Sequence, residues 1–113
     1  MSKLPNGDKA VVPIEKFTEY SLNSEHPTGR HKARVFKARL GLTLSDVDFL
    51  RSKVINVVAN MDAISQSPIS YGERYVIDFE LTTVIGNAVV RTAWIVRNDE
   101  DFPRLTSCYV LED

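Results

Sequence analysis

The hydrophobic pattern changes period once, near Gly72, and that change decides most of what the chain can become. Tyr75, Ile77, Phe79 and Leu81 alternate with Arg74, Val76, Asp78, Glu80 and Thr82. A period of two describes a strand with one buried face. Gly86-Asn87 then marks a hairpin turn, with a loop that can begin as early as Thr83. Ala88 to Arg97 forms a second strand, "NDEDFP" (Asn98 to Pro103) a connection, and Leu105 to Leu111 a third strand. Strands joined by links this short pair antiparallel.

Before Gly72 the apolar residues recur every three or four positions, the spacing of helices with one buried stripe. Asn6-Gly7 opens the chain with a turn, and Ala10 to Val12 reads as a short edge strand. Pro13 suits the start of a helix over Ile14 to Leu22, with Ile14, Phe17 and Leu22 on one rough face. "NSEHPTG" (Asn23 to Gly29) is a loop, because Pro27 disfavours helix at His26. Arg30 to Leu40 is the second helix, with Val35, Phe36 and Leu40 inward and Gly41 as its stop. Thr43 and Asp46 have the spacing of a capping box for a third helix, Leu44 to Asn60, whose stripe is Val47, Leu50, Val54, Val57 and Val58. Asn60 to Ser70 reads as a polar surface loop. The expected fold is α+β: about three N-terminal helices packed on a three- to four-stranded antiparallel sheet, in a single domain over residues 1–113. Hydrophobic residues at 43% suffice for a core without staples.

The net charge of -1 excludes a global polycation, so any nucleic-acid binding must come from a local patch. The lone cysteine, Cys108, cannot form an internal disulfide. No apolar run has the length of a membrane span, and "MSKLPNGDKA" lacks the apolar core of a signal peptide. The expectation is a soluble, cytoplasmic protein that does not engage membranes.

Positive charge is concentrated in the second helix. Arg30, Lys32, Arg34, Lys37 and Arg39 are five of the chain's 14 Lys and Arg residues, and His31 lies among them. No acid stands four residues away within the helix to neutralise them. Cations at a helix start oppose its dipole by about 0.3–1 kcal/mol each at low salt. A helix start rich in donors and positive potential suits an anion, phosphate above all. A solvated helix face is the plain alternative. In the second strand Arg91 sits amid apolar residues, where an unpaired charge is costly. Either Asp78 or Glu80 pairs with it across the hairpin, or it lines an open concave surface that holds an anion. In the last strand Thr106 and Tyr109 fall on opposite faces, and only a bulge or a strand end brings both to one site.

Two histidines and one cysteine make no metal site of recognisable spacing, and the acids of "NDED" read as a solvated turn. Neither a Gly-rich phosphate loop nor a nucleophile elbow occurs. No metal or cofactor is expected.

The segments "HPTGRHKARVFKARLGLT", "YGERYVIDFELT", "VVRTAWIV" and "EDFPRLTSCYV" resemble an uncharacterised family of small bacterial domains. That family occurs alone and as a C-terminal module of larger proteins with toxin-like architecture. The layout is also similar to the barnase–EndoU–colicin–RelE group of nucleases, which generally cleave RNA without a metal. This second resemblance implies His31 and Lys32 as helix residues of a catalytic site, Arg91 as the strand cation and Thr106 as the last-strand hydroxyl. Arg30, Arg34, Arg74 and Tyr109 would then bind the RNA. The chain departs from the group in offering one plausible catalytic histidine and no obvious second base. The expected function is a metal-independent ribonuclease of toxin type, with RNA and a cognate antitoxin or immunity protein as partners. The alternative is a non-catalytic binding or neutralising module, such as an antitoxin, an immunity protein or a degenerate nuclease. A structural or oligomerisation domain is the third possibility.

Overall fold

Two strands, β3 (Gly72–Thr82) and β4 (Asn87–Arg97), pair antiparallel without interruption from Gly72–Arg97 to Thr82–Asn87. They belong to a computed structural model that describes residues 2–27 and 29–112; Thr28, within the expected loop at 23–29, lies outside them. Around this hairpin the sheet runs in chain order, β1 (Ser2–Lys3), β2 (Asp62–Ser65), β3, β4 and β5 (Arg104–Val110). The helices come first: a π-helix at Lys16–Ser21, α1 (Arg30–Leu40) and α2 (Val47–Asn60). The expected α+β architecture is the observed one.

Directly opposed residues share a face of the sheet. Tyr75–Trp94, Ile77–Thr92, Phe79–Val90 and Leu81–Ala88 therefore form one face, continued in β5 by Leu105, Cys108 and Val110. This face meets Phe17 of the π-helix, Phe36 and Leu40 of α1, and Leu50, Val54 and Val58 of α2 in one core. The one buried threonine on it has a role. Thr92 accepts the Trp94 indole N–H at 2.8 Å and donates its own hydrogen to the Ile77 carbonyl at 2.8 Å. Every polar atom of that trio is thereby satisfied in the dry interior.

Local chemistry sets the ends of the helices. Asp46 accepts the Thr43 N–H at 2.9 Å in the expected capping box, and Leu44–Asp46 form a tight 3-10 turn that leads into α2. At the end of α1, Gly41 adopts φ 70°, which favours glycine, and the Leu42 N–H reaches back to the Phe36 carbonyl. The Thr83 hydroxyl donates to the Leu40 carbonyl at 2.7 Å, tying the hairpin loop to the helix end. Ser21, buried in the π-helix, donates to the Cys108 carbonyl at 2.7 Å, so a backbone acceptor of β5 is covered instead of exposed.

Two local expectations are corrected. Residues 60–70 are not all loop, because β2 pairs Ile64 with Val76 and Ser65 with Tyr75. Four residues, Asp-Ala-Ile-Ser, are too few to display a period, and the strand exists because β3 offers it an edge. Ala10–Val12 is not a strand. Only Val11 bridges the sheet, in parallel to Arg104.

Thr92→Val should lower stability by about 1–3 kcal/mol, because it strands the Trp94 N–H without a partner. Urea unfolding followed by tryptophan fluorescence measures this, and Thr92→Ser, which keeps the hydroxyl, should lose less.

Candidate functional site

The outer face of the sheet carries the other parity. Arg74–Ile95, Val76–Ala93 and Asp78–Arg91 are opposed across β3 and β4, and Arg91–Tyr109 and Ala93–Ser107 across β4 and β5. Ala93 and Ser107 are small and sit between larger neighbours, which leaves a hollow of about 340 Å³. Arg74, Arg91, Thr106 and Tyr109 all line it, together with Gln66 from beyond β2. Thr106 reaches this side through a bulge. Ala93 pairs with Ser107 but Trp94 pairs with Leu105, so Thr106 is the extra residue. Its hydroxyl donates to the Ala93 carbonyl at 3.0 Å.

Lys32 joins from α1. Its ammonium lies 5.0 Å from the centre of the Tyr109 ring. A second cleft of about 260 Å³ adjoins the hollow; Lys32, Tyr20, Thr106 and Ser107 line it. Lys32 thus lines the second cleft and touches the hollow through its wall residue Tyr109, and the two depressions share Thr106 and Ser107.

Asp78 holds the Arg91 guanidinium in place. It accepts from Nε at 2.8 Å and from Nη2 at 2.9 Å, which makes the cross-strand pair the correct one of the two alternatives for a partner and leaves Glu80 out. These hydrogen bonds raise the guanidinium's proton affinity above its ordinary value; desolvation opposes the rise, and the Asp78 charge and Tyr109 add to it. Arg91 still lines the hollow while paired, so the two alternatives do not exclude each other. Arg74 donates from Nε to the Ser67 carbonyl at 2.8 Å. Four cations, Lys16, Lys32, Arg74 and Arg91, line the two depressions, and Asp78 pairs with one of them, Arg91.

His31 does not line either depression. Its Nε2 lies 3.1 Å from Glu112, with side-chain exposures of 65% and 54%. Arg30 and Arg34 line a different cleft, beside Leu22 and Leu42. The expected site residues therefore divide: Lys32, Arg74, Arg91, Thr106 and Tyr109 come together, while His31, Arg30 and Arg34 face elsewhere. The helix start is also less open than its sequence implied. The Gly29 N–H donates to His26 Nδ1 at 3.0 Å, and the Arg30 N–H to the His26 carbonyl at 2.9 Å. His26, expected in a loop, thus takes up two backbone N–H groups at the start of α1. Its ring packs at 4.6 Å on Tyr20, a wall of the second cleft. Gly29 is required here because a Cβ would lie 2.6 Å from the Tyr20 carbonyl oxygen.

Gln66, Ser107 and Tyr20 were not among the expected site residues. No sequence signal marks Gln66, whose position depends on the unanticipated β2, or Tyr20, which a loop and a helix bring beside Lys32. Ser107 shares the parity of Tyr109, so the alternation of β5 contained that signal.

Among the described residues no group of His, Cys, Asp and Glu could hold a metal ion, and no helix is long and apolar enough to cross a membrane. The chain belongs to the family described as Domain of unknown function (DUF6883), whose model matches residues 3–112. No curated protein and no solved structure matches it.

Cys108 lies beneath the second cleft, where burial pushes its thiol up to about 12 although the Lys32 charge works in the opposite direction. It should not react with a disulfide reagent at pH 8 until urea unfolds the chain, and absorbance of the released thiolate measures this. The folded state holds this proton where the unfolded state has lost it. This thiol's contribution therefore destabilises the fold as pH rises from about 9 to about 12.

Proposed function

We propose that this domain is a metal-independent endoribonuclease of toxin type and that the scissile phosphate rests where Lys32, Arg91, Thr106 and Tyr109 meet. The observation that carries this reading is the bulge at Thr106, which puts a hydroxyl from β5 in both the hollow, with its cations from β3 and β4, and the adjoining cleft, with Lys32 from α1. RNA brings its own nucleophile. The 2′-oxygen forms a bond to phosphorus, the bond to the 5′-oxygen breaks, and the enzyme must stabilise the crowded anion between those events. Preorganised cations do this well, and removal of one such donor typically costs about 10²–10³ in rate. Lys32 and Arg91 are the groups proposed to meet that charge, Arg74 a neighbouring one, and Thr106 donates to a phosphate oxygen by turning its hydroxyl away from the Ala93 carbonyl. The 5′-oxygen takes its proton from the Lys32 ammonium. The 2′-hydroxyl gives its proton to water, or through water to the His31 imidazole that stands outside the hollow.

A second reading, a non-catalytic binding or neutralising module, is favoured by two observations. Arg91 is engaged by Asp78, and His31 stands outside the hollow beside Glu112.

Incubation of the purified protein with transfer RNA and a chelator separates the two. The proposal expects cleavage, a loss of roughly 100-fold in Lys32→Ala and Arg91→Ala, and a smaller loss in His31→Ala than in either. Retention of intact RNA by a protein that still binds it would establish the second reading. Cleavage by His31→Ala equal to that of the wild type removes the imidazole from the mechanism.

A further inference from the structure

The cations of α1 do not all serve the sheet. Arg30, Arg34 and Lys37 recur at helical spacing on the side of α1 away from Lys32. They line a cleft of about 410 Å³ between α1 and the segment that leads into α2. None of its lining residues belongs to the hollow or its adjoining cleft. All three side chains are exposed, and among the described residues none has a carboxylate within ion-pair distance. Two acids adjoin the lining in sequence: Asp46 is turned onto the Thr43 N–H, and the exposed Glu25, next to Ser24, forms no ion pair with the three cations. The charge on this face is therefore uncompensated in a chain whose net charge is -1.

The floor is apolar. Leu22 and Leu42 line it from below, and Leu44 stands at its edge with 47% of its surface exposed. Phosphates alone would use the cations and leave this floor wet, and no aromatic ring lines the cleft for a base to stack on. An acidic peptide with an apolar side chain uses both. Carboxylates set about 6 Å and about 4.5 Å apart would match the rise from Arg30 to Arg34 to Lys37, and a leucine-sized side chain between them would reach Leu44.

We infer that this cleft is a docking site for an acidic, leucine-bearing segment of a partner protein, separate from the hollow on the sheet. The fit rests on charge complementarity and on the apolar floor that accompanies it. It does not depend on the ribonuclease reading.

The test is fluorescence anisotropy of the full chain with a labelled peptide whose glutamates are spaced four and three residues apart around a leucine. A single-stranded RNA of equal charge serves as the competitor probe. Saturable peptide binding at low salt is expected, weakened in 1 M salt, where the screening length is about 3 Å. Arg30→Glu/Arg34→Glu should reduce it by roughly tenfold or more, and Leu44→Asp should reduce it independently. RNA binding by these variants should change less than peptide binding. Arg34→Gln, milder at the same exposed position, keeps the result interpretable should the double variant misfold, as judged by circular dichroism. The inference is overturned by failure of the peptide to bind, by equal binding to wild type and folded variants, or by a loss confined to RNA. None of these results would alter the outcome of the transfer RNA assay, which reads the other surface.

Discussion

The long pairing of β3 with β4 is the constraint that the rest of the molecule obeys. Its register is uninterrupted over eleven residue pairs, so every side chain on either strand is assigned to one face or the other. One face receives Ile77, Phe79, Val90 and Trp94 and needs the helices to cover it. The other receives Arg74, Asp78, Arg91 and Ala93 and stays open. A slip of one residue would bury the salt bridge and expose the indole. The Thr92 hydroxyl opposes such a slip, because its two hydrogen bonds link Trp94 to the Ile77 carbonyl only in this register.

Against that fixed hairpin, β5 is the adaptable strand. The extra residue at Thr106 lets Leu105 return to the core while Thr106 turns outward. Small side chains at Ala93 and Ser107 then leave a depression that larger ones would fill. The π-helix and α1 both meet the edge strand β5, where Ser21 covers the Cys108 carbonyl and Lys32 reaches past the edge to the Tyr109 ring. α1 thereby divides its charges, with Lys32 towards β5 and Arg30, Arg34 and Lys37 towards the segment at 42–45. A helix with cations all around it can serve two surfaces because residues two apart point in different directions.

Much of this was legible in the sequence. Period two after Gly72, the Gly41 stop and the Thr43/Asp46 box each encode their own local structure, and all three are observed. The strand β2 was not legible, since its four residues derive their conformation from a neighbour and not from their own pattern. The site was legible in pieces. Arg91 declared itself as a charge in an apolar strand, and the need for a bulge near Thr106 was apparent, though its presence was not. The grouping of His31 with Arg91 could not be checked by spacing, because it depends on which way one turn of α1 faces. Position 31 turns to Glu112 and position 32 to the sheet. The contact of His26 with the start of α1 was hidden for the same reason, as it arises from the path of a loop.

From β2 to β5, strand order in space equals strand order along the chain. Such a meander relies on contacts between neighbours, which shortens the conformational search. Its cost is one of timing. During synthesis the chain emerges from its N-terminus at about 5–20 residues per second, and the helices appear before the strands that shelter their apolar stripes. Trp94, Leu105 and Val110, which complete the interior, come from the final fifth of the chain. Lys32 has left the ribosome well before Arg91, Thr106 and Tyr109 exist to face it. A nascent or truncated chain consequently holds every helix but no assembled hollow, and the surface proposed to act on RNA arises only once translation of the domain is finished.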